Sequence, residues 1–152
     1  CHAQTVEDLA NSDHGFAGLK CADCHTVHEN KTPSQDIEAE IKRCLSCHPA
    51  QELEFKNSYS HPLRERQIRC SDCHDPHSGR NDKMLKKEGD KVCADCHANI
   101  MIEGGKHPAR LGADHSLGAV KCLDCHQAHG SNFSKVLKYD SAQLCRACHS
   151  DR

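Results

Sequence analysis

Cys70-Ser71-Asp72-Cys73-His74 runs on through Asp75-Pro76-His77 and is followed, after a charged connector, by Cys93-Ala94-Asp95-Cys96-His97. Two C-x-x-C-H motifs thus stand 23 residues apart, His74 to His97, with a further histidine three residues after the first. The same unit occurs twice more. Its first copy runs from Cys21-Ala22-Asp23-Cys24-His25-Thr26-Val27-His28 to Cys44-Leu45-Ser46-Cys47-His48. Its third runs from Cys122-Leu123-Asp124-Cys125-His126-Gln127-Ala128-His129 to Cys145-Arg146-Ala147-Cys148-His149, and the 23-residue interval holds in all three copies.

A lone C-x-x-C suits a zinc half-site, a redox dithiol or an iron–sulfur ligand pair. Here six pairs each carry a trailing histidine, and together they use twelve of the thirteen cysteines. That regularity favours haem attachment over the other chemistries. The two thiols of C-x-x-C-H add to the vinyl groups of a porphyrin, and the histidine takes one axial position on the iron. Six covalently bound haem c groups are expected, on Cys21/Cys24, Cys44/Cys47, Cys70/Cys73, Cys93/Cys96, Cys122/Cys125 and Cys145/Cys148. Their proximal ligands are His25, His48, His74, His97, His126 and His149.

The composition agrees. The 152-residue chain has five aromatic residues, no Trp and 36% hydrophobic content, with a mean hydropathy of −0.77. Such a chain is poorly equipped to offset its own conformational entropy. Apolar porphyrin faces supply the missing core, and thioether links constrain the unfolded chain much as disulfides do. The fold class expected is a multihaem cytochrome c: mostly coil, with short α-helices around the attachment motifs, no sizeable β-sheet and haems forming the core. The formal charge of −2 falls to about −8 once ferric haems and ionised propionates are counted. That argues against nucleic acid as a partner. No long apolar run is present, so no transmembrane helix is expected, and covalent haem attachment places the chain outside the cytoplasm as an exported, processed protein.

Residues 1–13 read as a polar N-terminal tether, and 14–152 as a hexahaem domain of three dihaem repeats, 14–60, 61–106 and 107–152. Thr32-Pro33-Ser34-Gln35 has the pattern of a helix start. That helix would place Ile37, Ile41, Cys44 and His48 on one face, the wall of the second haem. Tyr139-Asp140-Ser141 reads as the matching start before Cys145. Gly79 to Lys91, with Lys83, Lys86, Lys87 and Lys91, reads as a solvated surface loop rather than a docking patch.

Six irons need six distal ligands. Eight histidines lie outside the motifs (His2, His14, His28, His61, His77, His107, His115 and His129), against only two methionines, Met84 and Met101. Two families of three fit the need: an upstream set, His14, His61 and His115, and a trailing set, His28, His77 and His129. Within the upstream set His61 fits least well, and His107 competes with it. Residues three apart on a turn of helix project from one side, whereas axial ligands approach an iron from opposite sides. Each trailing histidine is therefore expected to reach a haem other than the one three residues before it.

The pattern resembles the multihaem cytochromes built from doubled C-x-x-C-H repeats, as found in bacterial respiratory and extracellular electron-transfer chains. The resemblance covers nearly all of residues 14–149 and is most specific at Cys70 to Gly79 and Cys122 to Ser131. It implies low-potential, bis-His haems in a close-packed chain used to relay electrons to redox protein partners or a membrane redox complex. Two alternatives stand beside that reading. One is the subunit of a polymeric, extracellular cytochrome filament, since His2 and His107 are surplus and self-association would allow one to be donated to a neighbour. The other is a multihaem reductase, which needs an open iron position. Multihaem nitrite reductases mark theirs with Lys in place of the motif histidine, and every motif here ends in His.

Cys1 is the one cysteine outside a complete motif. It is expected to be a lipidation site anchoring the protein to a membrane face in the periplasm or at the outer surface, with more than one acyl chain for stable attachment. The rival expectation is a truncated motif, because His2 lies 23 residues before His25. The intact mass separates the readings. Six haems plus acyl groups support the anchor, six haems alone exclude it, and a seventh haem supports truncation.

Overall fold

A computed structural model describes residues 2–26, 36–101, 120–147 and 149. Among the described residues, regular structure is confined to short helices separated by coil and turns, with one two-stranded ribbon. The helices are α1 (Ala3–Ala10), α2 (Asp13–Phe16), α3 (Cys21–Cys24), α4 (Ile37–Cys47), α5 (Pro49–Glu54), α6 (Cys70–Cys73), α7 (Lys91–Ala94), α8 (Cys122–Cys125) and α9 (Ser141–Arg146). The strands β1 (Tyr59–Ser60) and β2 (Gly130–Ser131) pair antiparallel, Tyr59 opposite Ser131 and Ser60 opposite Gly130. This is the mostly coil, multihaem cytochrome c class read from the motifs. Among the described residues no helix is long and apolar enough to cross a membrane.

The chain divides into two compact units, Cys1–Cys44 with Ile68–Ala98 and Leu45–Gln67 with Asn99–Arg152. The first unit joins the front of the first sequence copy to the motifs of the second, and the second unit joins the end of the first copy and the start of the second to the third. The boundary falls inside α4, between Cys44 and Leu45.

In the first unit, α1 and α2 meet at an elbow built on Ser12 and Gly15. The fully buried Ser12 hydroxyl donates to the Leu9 carbonyl at 2.8 Å and accepts from the Gly15 N–H at 3.2 Å. A Cβ on Gly15 would meet the Leu9 carbonyl oxygen at 1.9 Å, so only glycine lets the turns come this close. The elbow lies on the arm that follows the α6 motif. Arg80 donates to both carboxylate oxygens of Asp8, at 2.9 and 3.1 Å, and this guanidinium, with Gln4, holds the Asp8 carboxyl below its usual range. A Cβ on Gly79 would meet the Asn11 carbonyl at 2.3 Å.

Helix α4 starts at a different cap from the one the sequence suggests. The Asp36 carboxylate accepts from the N–H groups of Glu38 and Ala39, at 3.0 and 3.1 Å. Asp caps orphan helix donors well, so the start falls four residues beyond Thr32; Thr32 to Gln35 lie outside the described residues. Ile37, Ile41 and Cys44 are half-buried, and His48 sits exposed between α4 and α5. The buried Glu40 joins α4 to α6: its carboxylate accepts from the Ser71 N–H at 2.8 Å and the Ser71 hydroxyl at 3.0 Å, with Arg69 at 3.7 Å. Helix α9 begins where Tyr139-Asp140-Ser141 suggests, the Asp140 carboxylate accepting from Ala142 and Gln143 at 2.9 Å each.

Among the described residues, the buried hydrophobic side chains are Phe55, Leu63 and Met84, while Phe16 is 77% exposed. A core of that size falls far short of what a chain of this length needs.

Removing the Glu40 carboxylate leaves the Ser71 N–H unpaired next to a helix it should hold. Glu40→Ala is expected to cost about 1–3 kcal/mol, read as a lower denaturant midpoint for the haem-loaded protein, with Glu40→Gln milder. An unchanged midpoint for Glu40→Ala would contradict the role given to this contact.

Candidate functional site

The three leading motifs share one local geometry. The C-x-x-C pair spans a single helical turn, so both sulfurs lie about one turn apart on the same side. Each turn is closed by the Asp of C-x-D-C: Asp23, Asp72 and Asp124 accept from the backbone N–H of Lys20, Arg69 and Lys121, at 2.7, 2.9 and 2.8 Å. The chain leaves the helix at the histidine, in extended backbone at His25, His74 and His126. The histidine N–H still donates to the carbonyl of the first cysteine, at 2.7, 3.0 and 2.9 Å for His25, His74 and His126. His97 and His149 make the same bond in their motifs, at 3.0 and 2.9 Å.

The imidazole rings are aimed by their other partner. His74 Nδ1 lies 2.9 Å from the Lys83 carbonyl, and His126 Nδ1 lies 2.9 Å from the Lys135 carbonyl. A carbonyl only accepts, so each Nδ1 carries the hydrogen and each Nε2 keeps its lone pair for a metal. Both carbonyls are delivered by paired left-handed residues, Lys83-Met84 (φ 55° and 54°) and Lys135-Val136 (φ 59° and 51°). Non-glycine residues avoid this region, and its recurrence at equivalent places marks a conformation held by its surroundings. The hold is visible in the bonds from Asp75 N–H to Met84 and Gln127 N–H to Val136, both 2.7 Å, and from Lys86 and Lys138 N–H to Cys73 and Cys125, both 2.9 Å. Gly79 to Lys91, read from sequence as a solvated loop, therefore has its middle folded back on the motif, with Met84 buried. Charge composition cannot report backbone bonds of this kind.

Two upstream histidines dock on the motif of the following copy. His14 Nδ1 is 3.0 Å from the Pro76 carbonyl, two residues after His74. His61 Nδ1 is 2.6 Å from the Ala128 carbonyl, two residues after His126. His61 fitted its family least well in sequence, yet it occupies the position equivalent to His14. The ribbon next to it extends through the His61 N–H, which donates to the His129 carbonyl at 3.2 Å.

The trailing histidines contact other copies as well, His77 the preceding one and His129 the end of the first. The rings of His77 and His25 lie 5.8 Å apart, 15° from parallel. His129 packs against Phe55, ring centroids 5.1 Å apart, and its Nδ1 is 2.7 Å from Glu54 Oε2. His28, His107, His115, Cys1 and Cys148 lie outside the described residues.

The eleven described cysteines form no disulfide with one another. Cys44 and Cys70, from neighbouring copies, share a hydrogen bond that pushes the Cys44 thiol up, with burial adding to it, and the Cys70 thiol down against the effect of burial. Burial pushes the Cys73 thiol up as well, with Asp72 adding to it. Among the described residues no three or more His, Cys, Asp or Glu side chains converge on one point, whereas a structural zinc cage needs four ligands. Paired thiols a turn apart, a following imidazole anchored through Nδ1 and a sparse hydrophobic core among the described residues fit covalently bound haem. When bound, haem c supplies a one-electron iron couple.

These features define a multihaem c-type cytochrome. The chain belongs to the family defined by the doubled CXXCH motif, which matches residues 14–53, 61–102 and 115–152. It is similar to the multiheme cytochrome MtrA of Shewanella baltica (strain OS185), with 37% identity over the whole of this chain. The match covers 31% of that relative, so the chain spans about a third of its length.

Proposed function

We propose that the protein is a hexahaem electron carrier that relays electrons along closely spaced bis-His haems in a respiratory or extracellular electron-transfer chain. The twelve motif cysteines hold the haems and the six motif histidines provide the proximal ligands. His14, His28, His61, His77, His115 and His129 provide the distal ligands.

The observation that carries the reading is the His25–His77 pair. Imidazole nitrogens bind metals at about 2 Å and a ring centre lies about 1 Å further, so two rings across one iron stand about 6 Å apart. The observed 5.8 Å between ring centres supports that spacing. His77 then serves the haem held by Cys21 and Cys24, in the preceding copy, rather than the one three residues before it. The fixed Nδ1 atoms of His14 and His61 support the same role, because a ring locked at one nitrogen presents the other without further loss of entropy.

Two histidines per iron leave no position for a substrate, and small rearrangement on reduction suits a carrier. The reading is therefore of an electron-transfer protein and not an enzyme. Haem is attached to exported chains, which supports a place in the periplasm or at the outer face of a membrane, among redox protein partners or a membrane redox complex.

His77→Ala is expected to retain all six haems by mass while one of six irons turns high-spin in the oxidised protein, seen by EPR and visible absorption. Six low-spin irons in that variant would overturn the assignment.

A further inference from the structure

The anchors of the imidazole rings are not alike. His14, His61, His74 and His126 each set Nδ1 against a backbone carbonyl, which is neutral. His129 sets Nδ1 2.7 Å from Glu54 Oε2, a carboxylate. His77, its counterpart in the preceding copy, has Asp75 Oδ1 at 3.8 Å, too far for a hydrogen bond.

The surroundings of Glu54 hold it in place. It ends α5, its other oxygen accepts from Gln127 Nε2 at 3.3 Å, and the buried Phe55 next to it packs on the His129 ring. The arm comes so close to α5 that a Cβ on Gly130 would meet the Glu54 carbonyl at 2.4 Å. Asn57 Nδ2 closes the seam by donating to the Gly130 carbonyl at 3.2 Å. Both partners are about one-third exposed at most, the side chains being 28% and 31% accessible.

We infer that Glu54 is a positioning residue that sets the redox potential of one haem, the one whose iron His129 ligates, at a more negative value than a neutral anchor would give. A carboxylate accepting from Nδ1 pulls the shared hydrogen towards itself and makes the imidazole a stronger electron donor through Nε2. A stronger donor stabilises ferric over ferrous iron, so adding one electron becomes less favourable. The inference rests on His129 being an axial ligand, as proposed above.

Spectroelectrochemical titration of the six-haem protein tests it through two variants of opposite expected sign. Glu54→Gln keeps a hydrogen-bond acceptor and removes the charge, so one of six centres should move to higher potential while the other five stay. Gln127→Ala removes a competing donor from the carboxylate, so the same centre should move to lower potential. The EPR signal of one low-spin iron should change in step. Potentials that superpose on the wild type in both variants, or a common shift of all six, would overturn the inference. His129→Ala separates this from a failure of the ligation reading. One high-spin iron in that variant with unmoved potentials in the other two defeats the tuning alone, whereas six low-spin irons defeat the ligation itself.

Discussion

An imidazole ring has two nitrogens, and the partner of one decides what the other can do. In this protein the Nδ1 atoms of His14, His61, His74 and His126 all lie against carbonyl oxygens at 2.6–3.0 Å. Those contacts fix the tautomer and direction of each ring before any metal is considered. The rest of the local architecture serves to deliver these carbonyls. The left-handed Lys83-Met84 and Lys135-Val136 pairs deliver them to the motif histidines, and the turns at Pro76 and Ala128 deliver them to histidines of the preceding copy.

The second kind of contact makes the sequence repeat and the structural unit different things. A sequence copy is a pair of motifs 23 residues apart. A compact unit instead joins segments of different copies: His14 and the α1–α2 elbow meet the second copy, while His61, β1 and α5 meet the third. Phe55, Leu63 and Met84 are the buried hydrophobics of the described residues. Contacts between copies hold His14 and His61 each against a carbonyl of the following copy.

The sequence made much of this legible. The motif spacing carries the fold class and the cofactor chemistry, because thioether attachment needs that residue order and nothing tertiary. The Asp140 cap was equally legible, since capping is local. The start of α4 was misread because Thr32 and Asp36 both offer caps in one stretch, and the pattern alone does not choose between them. The left-handed lysines were not legible at all: Lys has no preference for that region, and only tertiary bonds impose it. A signal did exist, as Lys83-Met84-Leu85-Lys86 and Lys135-Val136-Leu137-Lys138 lie at equal distances from their motif histidines. Glu54 gave none, because it meets His129 across 75 residues with no repeat to mark it.

The central claim is that histidines are exchanged between neighbouring copies. An experimental structure of the haem-loaded protein, resolved well enough to show both axial ligands of each iron, tests it most directly. The account predicts that the iron attached through Cys21, Cys24 and His25 has His77 as its second ligand. His77 turned to solvent, or bound to the iron of His74, would contradict it.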